Sequence, residues 1–232
     1  MKEKIYCIPG LMCDERLWSR IEPLLNHIYE IVHIKIPLVS DFDEIVDSIH
    51  DIIEDETINL FGFSFGAYIS SYFAVKYPHR VTKLFLNAGT PSKMTQEEII
   101  KRNMMIEKMD SFGFRGISSK KIISLLEKSN HQDKELVQII QDMYTDSGKE
   151  VYLSQMKTIN NRIALEEQLI NLNIPITFFY STEDRLLNYK SLEKFTNNHT
   201  HITKISRVGT SHTIPLEMPK KLSYEILKWM EN

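Results

Sequence analysis

The residues Gly62-Phe63-Ser64-Phe65-Gly66 fit the pattern G-x-S-x-G. Glycine and serine are common, so the match alone says little. Its setting says more. The β-rich run Thr57–Phe61 leads straight into it, and a helical stretch from about Ser64 to Tyr77 follows, ending near Pro78. A sharp strand–turn–helix junction holds a serine in a strained conformation and exposes its hydroxyl as a nucleophile. Gly62 and Gly66 leave room for strand and helix to approach. The bland alternative is a serine that only caps the helix.

A serine hydroxyl attacks poorly unless a base takes its proton. Of the eight histidines, His27, His50, His79 and His131 fall on helices or helix ends. His33 and His201 fall in strands, and His199 in a polar connection. His212 lies in Val208-Gly209-Thr210-Ser211-His212-Thr213-Ile214-Pro215, a loop just past the last β-rich run. In a parallel sheet ligands bind off the carboxyl ends of the strands, where Ser64 and His212 both emerge. A base also needs a carboxylate to set its tautomer. Asp184 follows the strand that ends at Ser181, and its neighbour Glu183 competes for the role. Acyl transfer further requires backbone donors for the developing oxyanion. The Phe65 N–H is one. The loop Pro9-Gly10-Leu11-Met12 offers the other, best placed at the Leu11 N–H, with Gly10 giving the backbone close approach to a substrate. Pro9-Gly10 could also be a plain turn.

These residues need a frame. Strands are read at Lys4–Ile8, Tyr29–Ile36, Thr57–Phe61, Val81–Leu86, Ile174–Tyr180 and His201–Ile205. Helical patterns lie between most of them, and the strands carry apolar residues on both faces, so the sheet is mostly parallel and covered on both sides. The stripe Phe42, Ile45, Val46, Ile49, Ile52 and Ile53 marks one helix, with Ser40 as its cap and Asp41, Asp43 and Glu44 in its first turn. From 92 to 172 the pattern turns wholly helical. Thr95 and Glu98 form a capping box, and further helices cover about 118–128, 133–144 and 149–170. Leu186–Phe195 is helical. The last helix starts near Pro219, with Leu222, Ile226, Trp229 and Met230 on one stripe. The expected fold class is α/β: about six strands, helices on both faces, and an inserted helical cap at 92–172 within one domain spanning 1–232.

Composition fits that frame. At 232 residues, 42% hydrophobic and 25% charged, the chain has the profile of a single globular domain large enough to need no disulfide or metal. A net charge of −3 argues against a nucleic-acid partner. No secretory signal or membrane span is legible, so a cytoplasmic location is expected. The two cysteines, Cys7 and Cys13, match no metal or redox spacing. No cofactor is expected, and the oligomeric state is not readable.

With these motifs in view, the chain resembles the α/β-hydrolase superfamily along nearly its whole length. Ile8–Trp18 resembles the oxyanion-loop segment of small bacterial members. Tyr77-Pro78-His79-Arg80-Val81 with Leu84–Asn87 resembles the segment after the nucleophile helix. Gly209, His212, Glu217 and Pro219 fit the pattern around the catalytic histidine. The resemblance implies a triad of Ser64, Asp184 and His212 under a helical cap. There are departures: Pro9 where many relatives carry histidine, Ala67 where a further glycine is common, and Ser181 where glycine often precedes the acid. The two leading strands of larger members are expected to be missing.

Three functions compete on this reading. The first is hydrolysis of a small ester or thioester, with a small-molecule acyl substrate. The second is a lyase like the SHCHC synthase of the menaquinone pathway, a superfamily member that eliminates pyruvate with the same triad. Its anionic substrate requires arginines, and Arg16, Arg102 and Arg162 are candidates here, though surface charge is their plainer reading. The third is a non-catalytic ligand sensor. Met104, Met105, Met143 and Tyr144 in the helical block would line a pocket or simply pack.

Overall fold

The computed structural model describes residues 2–195 and 199–231. Six strands form one sheet: β1 (Glu3–Ile8), β2 (Tyr29–His33), β3 (Ile58–Phe63), β4 (Val81–Asn87), β5 (Ile176–Ser181) and β6 (Ile202–Arg207). Their order is β2-β1-β3-β4-β5-β6, and every neighbouring pair is parallel. The chain moves outward from β1 to β2, then crosses back to β3 on the other side. The order therefore reverses between β1 and β3, and in open parallel sheets such a reversal opens a crevice at the carboxyl ends.

Alternation along each central strand feeds two separate cores. Leu60, Leu84, Leu86 and Phe178 face one, while Phe61, Phe85 and Phe179 face the other. The first is closed by α2 (Phe42–Ile52) and α3 (Phe65–Lys76). The second is closed by Leu17, Trp18 and Leu25, the last on α1 (Glu22–Leu25), and by Leu222, Ile226 and Trp229 on α10 (Pro219–Glu231). Helix α3 is buried on nearly every side, from Phe65 to Ala74, which explains its apolar character all round.

Between β4 and β5 the chain is helical: α4 (Gln96–Phe112), α5 (Ser119–Ile123), α6 (Lys134–Asn160) and α7 (Glu166–Ile170). Helix α6 is interrupted at Gly148, where φ is 76°. The two ends of this segment meet. The Leu165 N–H donates to the Pro91 carbonyl at 2.9 Å, and Arg162 donates to the Thr90 carbonyl. Beyond β5 come α8 (Tyr189–Glu193) and, after β6, α9 (Ile214–Glu217).

Several element expectations shift. The cap of α2 is Asp41, whose carboxylate accepts from the Asp43 and Glu44 N–H groups, and not Ser40. A carboxylate one residue nearer the first turn reaches two free amides and carries the charge the dipole favours. Strand β2 stops at His33, although the Ile34 N–H still reaches the Cys7 carbonyl at 2.9 Å. Pro37, which has no N–H, follows shortly. The helix expected over 149–170 breaks after Asn160, because the Tyr68 hydroxyl accepts from the Ile163 N–H and donates to the Ile163 carbonyl. The capping box of Thr95 and Glu98 is present as read. Among the described residues no helix is long and apolar enough to cross a membrane.

Candidate active site

Ser64 joins β3 to α3 with φ 53° and ψ −111°, a strained conformation for a residue with a side chain, costing about 1–3 kcal/mol. The surroundings enforce it. The Ser64 N–H donates to the Asn87 carbonyl at the end of β4 (2.8 Å), and its carbonyl accepts from Ala67. The turn is also crowded. A β-carbon on Gly62 would lie 2.4 Å from Ser70 Oγ, and one on Gly66 would lie 2.2 Å from the Ile8 carbonyl oxygen. Glycine at both positions lets α3 press onto β1 and β3, which turns the serine outward.

The Ser64 hydroxyl meets His212 Nε2 at 2.9 Å, and His212 Nδ1 meets Asp184 Oδ2 at 2.7 Å. Asp184 is 1% exposed, and its other oxygen accepts from the Leu186 N–H at 2.9 Å. A carboxylate on Nδ1 keeps the proton there and leaves Nε2 free to accept from the serine. Phe63 packs against the imidazole, with ring centroids 5.4 Å apart. Glu183, the competing acid, is exposed, and its backbone N–H donates to the Gly209 carbonyl at 2.9 Å.

The Phe65 N–H opens α3, so it has no helical partner and sits at the positive end of the helix. The loop after β1 turns back on itself through Cys13 N–H to Gly10 carbonyl (3.2 Å). Within it Met12 takes φ 56°, and its N–H donates to Gln155 Oε1 on α6 at 2.9 Å. The neighbouring Leu11 N–H makes no hydrogen bond to a protein group among the described residues. Sequence reasoning missed Gln155, because nothing in a helical stripe marks one glutamine as the acceptor for a loop over a hundred residues away. It also missed Glu127 and Arg207, which hold the loop carrying His212.

The three candidate arginines differ. Arg16 is paired with Asp14 and Asp146. Arg102 and Arg162 have no carboxylate within ion-pair distance among the described residues. Arg102 donates to Met156 Sδ. Arg162 lies over the Tyr68 ring, 4.2 Å from its centroid, and its Nε is buried without a partner. Burial pulls both guanidinium groups below their ordinary value, Arg162 to about 10. Cys7 and Cys13 are free thiols, and burial pushes Cys13 up to about 12. Among the described residues no group of histidine, cysteine and acidic side chains is placed to hold a metal.

Comparison with known proteins agrees with the fold. A family model described as the alpha/beta hydrolase fold matches residues 38–121. The structure resembles a thermophilic esterase from Thermogutta terrifontis, with 18% identity, a TM-score of 0.85, and coverage of 100% of this chain and 90% of that one. It likewise resembles an enol-lactonase from Burkholderia xenovorans (13% identity, TM-score 0.85, 100% and 92% covered). MenH from S. aureus is also similar (16% identity, TM-score 0.78, 99% and 93% covered). No curated protein matches the sequence. The chain has the α/β-hydrolase fold, as its resemblance to that superfamily implied.

Proposed function

We propose that this protein is a serine hydrolase that cleaves a small ester or thioester through an acyl-enzyme. The observation that carries the reading is the unbroken chain from Ser64 Oγ to His212 (2.9 Å) to the buried Asp184 (2.7 Å), starting from a strained turn. In this mechanism His212 Nε2 takes the Ser64 proton as the oxygen attacks the carbonyl carbon. Asp184 stabilises the imidazolium that forms. The Leu11 and Phe65 N–H groups receive the oxyanion. His212 then gives the proton to the leaving alcohol or thiol, and water repeats the cycle to release the acid. The esterase and lactonase among the similar structures support the reaction class.

The test is hydrolysis of p-nitrophenyl esters of increasing acyl length by the wild type and by Ser64→Ala. The expected result is turnover by the wild type and a loss of at least about 10³-fold in kcat in the variant. Equal rates in the two proteins would overturn the reading.

A second reading is elimination from an anionic substrate. What favours it is the pair Arg102 and Arg162, both drawn from solvent and neither matched by a carboxylate among the described residues. A folded wild type that turns over no ester, but binds small dicarboxylates less tightly after Arg162→Met, would move the balance to this reading.

A further inference from the structure

We propose that Glu127 is a positioning residue for His212: from the helical segment between β4 and β5, its carboxylate holds the loop that presents the imidazole to Ser64. One oxygen, Oε1, gathers three donors: Arg207 Nη1 at 2.5 Å, the Thr210 N–H at 2.8 Å and the Ser211 N–H at 3.1 Å. Thr210 and Ser211 are the two residues before His212. Two consecutive amides fixed on one oxygen leave the next residue little freedom to rotate.

The approach of that oxygen is built into the loop. Gly209 has φ 136°, and a β-carbon there would lie 2.1 Å from Glu127 Oε1. A side chain at 209 would occupy the place the carboxylate takes. Glu127 engages the same loop a second way, through its backbone. Its N–H donates to Glu217 Oε2 at 2.7 Å, and the Ser211 hydroxyl donates to Glu217 Oε1 at 2.5 Å. The Ser211 carbonyl in turn accepts from Ser181 Oγ at 2.6 Å. Ser181 also accepts from Arg207 at 3.1 Å and stands at the end of β5, three residues before Asp184. The network thus spans the loops of both His212 and Asp184, and two carboxylates from outside those loops tie it, Glu127 from the helical segment and Glu217 from α9.

This is more than a surface ion pair. The Glu127 and Arg207 side chains are only 17% and 16% exposed, and charge-assisted bonds are strong in such surroundings. Burial pushes the Glu127 carboxyl up, but Arg207 and the Ser211 and Thr210 amides outweigh it and hold it below the ordinary carboxylate value. Proton transfer needs Nε2 within hydrogen-bond reach of the serine, and a displacement near 1 Å costs about 10²-fold. Seating of the helical segment and alignment of the base then become one event.

The kinetic test rests on the hydrolase reading, so a second readout that needs no turnover accompanies it. Glu127→Ala, Glu127→Asp and Glu127→Gln are compared with the full-length wild type for kcat and KM on the preferred p-nitrophenyl ester. Their downfield proton NMR signals are compared for the His212 Nδ1–H, identified by its loss in His212→Gln. Glu127→Ala should lower kcat about 10–100-fold with KM little changed, and broaden the Nδ1–H signal. Glu127→Asp withdraws the oxygen by about 1.5 Å and should fall between, which serves if the alanine variant does not fold. Glu127→Gln keeps an oxygen for the two amides and should recover most of kcat and the sharp signal. Wild-type kcat and signal in folded Glu127→Ala or Glu127→Asp would overturn the proposal, as would a glutamine variant as impaired as the alanine one. If the wild type hydrolyses no ester while the signal still responds to residue 127, the hydrolase reading fails and the positioning role stands.

Discussion

Asp184 and Glu183 are neighbours in sequence and opposites in surroundings. Asp184 is buried, bonded to His212 Nδ1 and to the Leu186 amide, while Glu183 points to solvent. The sequence favours Asp184 and keeps Glu183 as its competitor, because both follow the same strand. What separates them is the turn after β5. The Tyr189 hydroxyl donates to the Ser181 and Asp184 carbonyls, and the Glu183 amide is tied to the Gly209 carbonyl. That turn sends the side chain of 184 inward and that of 183 outward. On the proposed mechanism Asp184→Asn should lower kcat about 10³–10⁴-fold, since an amide no longer selects the tautomer or stabilises the imidazolium. Glu183→Gln should leave kcat unchanged. Steady-state kinetics of both variants check this, and the reverse ranking would move the orienting role to Glu183.

At the level of elements, continuous apolar runs made the sheet legible. Strands such as Ile58–Phe63 are apolar on both faces, and α3 is apolar all round, so their positions follow from composition alone. The boundaries that shifted are those set by distant partners. Tyr68 unwinds the chain at Ile163, and Asn188, which caps α8 through the Ser191 amide, starts that helix later than its pattern suggests. The same holds for the site. Ser64, Asp184 and His212 are readable as candidates because each follows a strand end. Gln155 and Glu127 are not, because their partners come from elements far off in sequence. Gln155 is the sharper case. Its side chain is buried and accepts the Met12 N–H, in a loop where Met12 is held at positive φ. Gln155→Ala should leave that amide without its partner and cost about 1–3 kcal/mol of stability. It should also let the loop relax and lower kcat about tenfold or more through a displaced Leu11 N–H. Urea titration and steady-state kinetics test the two parts, and a variant as active as the wild type would remove Gln155 from the support of the oxyanion loop.

Over the whole molecule, order is distributed unevenly, and the distribution has a measurable consequence. The sheet and α3 are packed between two cores, with Leu60, Phe61, Phe73, Leu84 and Phe85 fully buried. Helix α4 is the opposite. None of its residues is buried, and Ile100, Met104, Met105 and Phe112 are each more than half exposed. Its attachments include the contact of Arg102 with Met156 and the bond from Asn160 to Asn103, and it ends at Gly113 with φ 76°. A helix with few buried apolar contacts opens at low free energy, whereas central strands open only with the whole domain. Peptides from 96–112 should therefore exchange their amide hydrogens far faster than peptides from β3, α3 and β4. Their exchange should also be insensitive to urea concentrations that speed exchange in the sheet. The Thr95–Glu98 capping box steadies the first turn, so within α4 the gradient should run from slower at Glu98 and Ile99 to faster toward Phe112. Hydrogen–deuterium exchange read by mass spectrometry tests this directly. Protection of α4 equal to that of α3 would mean that the exposed apolar face is covered in solution. The same helix carries Arg102 beside Met156, so ligand-dependent protection of 96–112, compared between wild type and Ser64→Ala, would show whether this loosely held helix closes over a substrate before any bond is broken.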